Sequence, residues 1–300
     1  MPDPSNAGPL FRRLTLVGAG LIGGSVARVA RRGGDIAAEV VVTARSEATR
    51  ARVIELGFAD RVVADVADAV RDADCVMLCA PVGTYAALAR AIAPHLMQGA
   101  IVTDVGSTKA SVIRDMAHLL PAHARFVPAH PIAGTEYSGP DSGFADLFMG
   151  RWCLLTPLPD CDPAAVEAVS ELWRRCGSMV RVMDAAHHDR VLAMVSHLPH
   201  LLAFTICSTA DDLEGESRQE VLEFAASGFR DFTRIAASDP VMWRDIFINN
   251  KDALLEMLAR FTEDAQALAR AIRWGDAGYI EHKIERGRTI RKTLIDLKQA

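Results

Sequence analysis

Apolar and polar positions follow two different periods in the first half of the chain. Continuous apolar runs at 14–17, 40–43, 75–79 and 101–104 have the length and composition of strands buried on both faces. Shorter runs at 62–63, 126–127, 152–156 and 180–183 are further strand candidates. The intervals between them carry helical signals. Val26 and Val29 share one face over 25–32, and Ser46 can cap a helix that reaches Leu56. Leu88, Ala91 and Ile92 point inward over 84–93, and 111–120 and 163–176 complete the set. Strands alternating with helices predict an α/β, doubly wound, mostly parallel sheet, which 152–156 and 180–183 extend. Ligands of such sheets bind beyond the carboxyl ends of the strands.

From about Ala185 the strand signal disappears. Residues 187–209 place Val191, Leu192, Val195, Leu198, Leu202 and Ile206 at helical spacing, with Pro199 expected to kink the helix. Shorter helices are predicted over 219–228 and 229–237. Asp239 and Pro240 read as an N-cap and a first-turn proline, opening a helix that runs to Trp274. A last helix starts at Asp276 and carries Ile280, Ile284, Ile290 and Leu294 on an otherwise charged surface. Helices this long in a small domain need a partner to cover them, so a homodimer is expected.

Composition narrows the classes. Half of the 300 residues are hydrophobic, enough for two domains with a sizeable core. A net charge of −5 argues against a nucleic-acid partner, so an anionic small molecule has to be held by local cations. No apolar run in the sequence reaches membrane-spanning length. The first residues, with Pro2, Asp3, Pro4, Gly8 and Pro9, read as a loose tail rather than a signal peptide. Six cysteines form no framework, and free thiols in a reducing cytoplasm are expected.

The candidate chemistry starts right after the first strand. Gly18, Gly20 and Gly23 stand at G-x-G-x-x-G spacing between strand and helix. Gly18 allows the tight turn, Gly20 lets a pyrophosphate approach, and Gly23 lets helix and strand pack closely. Amides at the helix start, Leu21 and Ile22 among them, with the helix dipole behind them, bind the phosphates. Further cofactor contacts are expected at Ala80, Pro81 and Ser107, where later strands end. The acid expected after the second strand is absent, and Arg45 and Ser46 stand there instead. A carboxylate would repel a 2′-phosphate and Arg45 can pair with one, which points to NADP rather than NAD. The blander readings are that Arg45 stacks on adenine and that Ser46 only caps a helix. The chain is thus divided into a tail at 1–11, a dinucleotide-binding domain of Rossmann type at 12–184, and a helical substrate-binding and dimerisation domain at 185–300.

His130 follows the sixth strand between Ala129 and Pro131, well placed to face a nicotinamide. Ser107 sits in a polar cluster after the fifth strand and is also a candidate N-cap. The helix 187–209 adds His188, His197 and His200, and 228–234 adds Arg230, Asp231 and Arg234. The histidines lack metal-site spacing, so no metal is expected.

Together these motifs resemble the prephenate/arogenate dehydrogenases of tyrosine biosynthesis. The matching segments are 17–25, 104–109, 129–134, 196–200, 228–234 and 238–243, in the family's order. The resemblance implies a Rossmann-type domain followed by a helical dimerisation domain. It implies NAD(P)-dependent oxidative decarboxylation of prephenate or arogenate. His130 is then similar to the histidine that accepts the proton of the ring hydroxyl, and Ser107 to its hydrogen-bonding partner. Arg234 resembles the arginine that holds the ring carboxylate. His200 matches a histidine at the substrate side chain, with His188 more peripheral. Glu136 and Asp231 resemble members of an ionic gate with Arg234, and Trp243 helps to close the pocket. Arg230 stands where the family often has lysine. The alternatives are another β-oxidoreductase, of 3-hydroxyacid dehydrogenase or pyrroline-carboxylate reductase type, or a non-catalytic dinucleotide sensor.

Overall fold

The structure is a computed structural model that describes residues 8–213 and 216–297, with no side-chain detail for 216–218. Of the tail read at 1–11, residues 1–7 lie outside the described residues, and Phe11 already belongs to the first strand. Six strands form one sheet: β1 (Phe11–Val17), β2 (Ala37–Thr43), β3 (Arg61–Val63), β4 (Cys75–Leu78), β5 (Ile101–Asp104) and β6 (Arg125–Val127). Their order is β3-β2-β1-β4-β5-β6, and every pairing is parallel. The helices between them are α1 (Leu21–Gly33), α2 (Glu47–Leu56), α3 (Val66–Val70), α4 (Tyr85–Ile92) and α5 (Ala110–Met116). Strand order reverses between β1 and β4, so the crevice at their carboxyl ends is the switch point where such sheets take ligands.

The expectation that 152–156 and 180–183 extend this sheet is not met. Strands β7 (Ala129–Pro131), β8 (Trp152–Leu155) and β9 (Met179–Val182) form a separate three-stranded sheet, with α6 (Pro163–Arg175) before β9. β7 runs antiparallel to β8, with His130 opposite Leu154. The cause lies at Ala129. Its N–H donates to Asp104 Oδ1 at 3.2 Å, and its carbonyl accepts from Lys109 Nζ at 2.7 Å. These two side chains take the groups that would otherwise continue the ladder from β6, so the chain turns away into a second sheet.

The helices that follow are α7 (Ala185–Leu192), α8 (Leu198–Asp211), α9 (Glu216–Glu223), α10 (Ser227–Thr233) and α11 (Pro240–Asn249). Instead of a kink, Ala193–His197 widens into a π-helical turn just ahead of Pro199. Proline has no N–H and crowds the carbonyl four residues earlier, and the wider turn makes room. The run Ala185–Asp211 corrects one expectation: with 27 residues and mean hydropathy 1.6, it is long and apolar enough to cross a membrane by length and composition. Only part of it is buried, yet its His188, Asp189 and His197 are buried and bonded to other elements of the chain. Asp239 caps α11 by accepting from Met242 N, as expected. The single helix expected from there to Trp274 is interrupted at Asn250, whose side chain donates to Asp189 O at 2.9 Å and sits 2.9 Å from His197 Nδ1.

Residues up to Lys251 form one compact unit, and those from Asp252 a second. The second comprises most of α12 (Lys251–Trp274) and all of α13 (Ala277–Asp296), joined by an ion pair between Lys283 and Asp264 at 2.6 Å. All six cysteines are free.

Candidate active site

The glycine turn has the shape a pyrophosphate needs. Gly18 has φ +117, and a Cβ there would stand 2.5 Å from the Cys79 carbonyl oxygen. A Cβ on Gly23 would lie 2.3 Å from Gly18 O, so α1 could not approach the sheet. At Gly20 a Cβ would meet nothing within 4 Å, which leaves open space against the backbone. Gly20 caps α1 without a side-chain bond, and the amides of Leu21, Ile22 and Gly23 belong to a first turn that has no intrahelical partners. Ala80 closes the other side, its N 3.3 Å from the Gly18 Cβ position, and Pro81 opens a short 3₁₀ turn whose Thr84 bonds back to Pro81 O. The cradle therefore fits the phosphates of a dinucleotide. At the end of β2, Ser46 does cap α2, accepting from Thr49 N at 3.1 Å. The Arg45 guanidinium is exposed and makes no hydrogen bond or ion pair among the described residues. Arg50 Nη1 donates to the Ala44 and Arg45 carbonyls and so shapes the same turn.

His130 is buried on β7. Its Nδ1 lies 2.9 Å from His188 Nε2, and His188 Nδ1 lies 2.8 Å from Asp189 Oδ1. The Asp189 carboxylate also accepts from the backbone amides of Lys109 (2.8 Å) and Ala110 (2.9 Å) at the start of α5. Placing His188 at the periphery is thus incorrect: it is fully buried and is the direct partner of His130. Ser107, expected in that role, is half-buried, makes no side-chain hydrogen bond among the described residues, and does not cap α5, whose N-cap is Lys109. Burial pulls the His130 pKa well below the ordinary histidine range, and the charges of His188, Lys109 and His197 add to this. His188 is also lowered by burial, against the pull of Asp189. For Asp189, burial acts upward, but the bonds from His188, Lys109 and Ala110 outweigh it and hold the carboxyl below its usual range.

Beneath these residues Lys109 Nζ and Asp104 Oδ2 form a fully buried ion pair at 2.5 Å. Arg234, on a 3₁₀ turn after α10, pairs with Glu136 at 3.4 Å. Asp231 and Arg230 are exposed, and among the described residues neither joins that pair. His200 stacks on Trp243 with ring centroids 3.7 Å apart, and its Nδ1 is bonded to Ser196 O. Burial lowers the His200 pKa, and the charge of Arg234 adds to that. Asp189, Lys109, Asp104 and Asn250 were not singled out by sequence reasoning. The available signal was the polar doublet His188-Asp189 just before the apolar Val191 and Leu192.

A glycine-lined phosphate cradle at the switch point of a parallel sheet, with a neutral buried imidazole on the strand that leaves it, defines a dinucleotide-dependent dehydrogenase. Residues 26–182 match the family model for the prephenate dehydrogenase nucleotide-binding domain, and 184–285 match that for the prephenate dehydrogenase dimerization domain. The chain belongs to the prephenate dehydrogenase family. It is 40% identical to a cyclohexadienyl dehydrogenase of Zymomonas mobilis over 96% of this chain and 99% of that one. It is 32% identical to a prephenate dehydrogenase of Bacillus subtilis, over 88% of this chain and 71% of the other. Among solved structures, a prephenate dehydrogenase of Aquifex aeolicus in complex with hydroxyphenyl propionate and NAD+ superposes with a TM-score of 0.87 at 31% identity, covering 94% of this chain and 98% of that one. Neither another β-oxidoreductase family nor a non-catalytic sensor is favoured beside this match.

Proposed function

We propose that the chain oxidatively decarboxylates prephenate, arogenate or both, to 4-hydroxyphenylpyruvate and tyrosine respectively, with NADP preferred over NAD. The observation that carries the reading is His130, buried, neutral and held by His188 on the strand that follows the large sheet. When bound, the nicotinamide supplies the two-electron acceptor of the reaction. His130 takes the proton of the ring hydroxyl as the carbon that bears it becomes a carbonyl. Loss of carbon dioxide then makes the ring aromatic, a step that needs orientation more than activation. Arg234 holds the ring carboxylate, exchanging its contact with Glu136 for one with the substrate. His200 and Trp243 form an aromatic wall for the side chain.

Support for NADP comes from Arg45. Among the described residues its guanidinium has no hydrogen-bond or ion-pair partner, no acid stands at the end of β2, and Arg50 pins the turn that presents it. The test is turnover of prephenate and of arogenate with each dinucleotide, followed by absorbance of the reduced nicotinamide. NADP should be used at lower concentration than NAD, and Arg45→Ala should weaken NADP much more than NAD. Equal loss for both dinucleotides removes the 2′-phosphate assignment, and no turnover of either substrate removes the function.

A further inference from the structure

The hydrogen bonds around His130 form a directed chain whose end is fixed. An ionised carboxylate can only accept, so the 2.8 Å contact between Asp189 Oδ1 and His188 Nδ1 puts a proton on that nitrogen. In neutral His188, Nε2 is then the acceptor. The 2.9 Å contact to His130 Nδ1 therefore puts the proton of His130 on Nδ1. What remains on His130 is Nε2 with its lone pair, and Nε2 makes no hydrogen bond among the described residues.

We propose that Asp189 is a positioning residue: through His188 it sets the tautomer of His130 that can accept a proton at Nε2, and it balances the charge that results. The transfer is written as follows. His130 Nε2 takes the hydroxyl proton, and the proton on His130 Nδ1 passes to His188 Nε2. His130 ends neutral, and His188 ends protonated on both nitrogens beside the Asp189 carboxylate. One proton enters, one positive charge is gained, and it rests where an anion already stands. This resolves a conflict in the site, since a base buried next to Lys109 would otherwise hold its proton poorly.

Asp189 has this capacity because its geometry is tied on three sides. Its carboxylate takes the two backbone amides at the start of α5, and its carbonyl takes Asn250 Nδ2. The other groups facing the relay are Asp104 and Lys109, paired with each other, Cys153 on β8, and His197 in the π-helical turn. Cys153 Sγ meets the His130 backbone, and among the described residues none of these groups hydrogen-bonds to the ring of His130 or His188. The proposal rests on the reaction given above, and its first measurement needs no substrate, so a wrong tautomer is distinguishable from an absence of turnover.

In the wild-type chain labelled with nitrogen-15 histidine, NMR at neutral pH should show His130 and His188 both protonated on Nδ1 and bare on Nε2. A proton on Nε2 of His130 overturns the proposal. In Asp189→Asn the anion is lost, and a carboxamide that turns its NH2 toward His188 Nδ1 keeps only the Ala110 amide, because Lys109 N shares Oδ1 with that nitrogen. His188 then carries its proton on Nε2, and His130 is forced to carry its own on Nε2. We expect kcat to fall by about 10²–10⁴-fold, with KM for the diene changed less than about threefold and the acidic limb of kcat displaced. Wild-type kcat with an unmoved acidic limb in Asp189→Asn overturns the proposal. A variant that does not fold leaves the decision to the NMR measurement.

Discussion

Burial strips the His130 imidazolium of its solvation, and His188, Lys109 and His197 add repulsion, so the ring stays neutral where an exposed histidine would already be charged. A base must be neutral to act, and its pKa is lowered. The acidic limb of kcat should therefore lie below the ordinary histidine value of about 6.5. His130→Asn retains a polar group but cannot take the proton. Its kcat should fall by about two to four powers of ten with little change in KM, and the acidic limb should go with it. Steady-state rates from pH 5 upward, roughly one and a half units below the free histidine value, are enough to check this. His197 has a related effect on stability, because burial brings its pKa down to about 4. The unfolded chain takes up that proton first, so stability should fall as pH drops from about 6.5 toward 4. At this scale the sequence marked His130 as a histidine beside a proline just past the sixth strand, and the structure has it buried in the middle of β7. The sequence was misleading for His188 and silent on Asp189, because both depend on which face of α7 meets the start of α5.

Elements were legible where one local pattern decides them. The strands of the large sheet are apolar runs flanked by glycine, proline or capping residues, and Ser46, Asp239 and Asp276 cap the helices expected of them. Two elements were decided by distant side chains instead. The helix leaving α11 breaks at Asn250, which bonds to Asp189 and His197 on another helix. The small sheet separates from the large one because Asp104 and Lys109 hold both backbone groups of Ala129. That ion pair is fully buried, and burial pushes the Asp104 pKa up and that of Lys109 down, toward neutrality in both cases. Lys109→Met should leave the Asp104 carboxylate buried without its counter-ion, a change that costs about 3–5 kcal/mol. Adding Asp104→Asn should recover much of the loss, since a neutral amide no longer needs a cation. Denaturant midpoints of the single and double variants check this. A single variant as stable as the wild type would show that β7 is held by β8 alone.

Large apolar side chains stand exposed in both units of the chain. In the unit that ends at Lys251, Leu222, Phe224 and Ile248 are exposed, Phe224 to 75% of its area. In the other unit Trp274 is 81% exposed, and Ile284 and Ile290 face solvent as well. Scattered apolar residues are normal on a surface, but exposed aromatic side chains of this size in both units, Phe224 just past α9 and Trp274 at the end of α12, are what an interface covers. The sequence pointed the same way, through a final helix with isoleucines on a charged surface. The match of 184–285 to a dimerization-domain model supports a second copy of this chain as the occupant. Sedimentation at micromolar concentration should return a species of twice the 32.4 kDa chain. An obligate interface of this kind buries above roughly 2,000 Å² in total, with a mostly apolar centre. One charge placed in that centre should be enough to separate the subunits. Phe224→Asp and Trp274→Asp test the two units separately. The variant that shifts the species toward the monomer identifies which unit supplies the contact. A wild-type chain that sediments as a single monomer would mean that these residues stay in water, and the dimer reading would be lost.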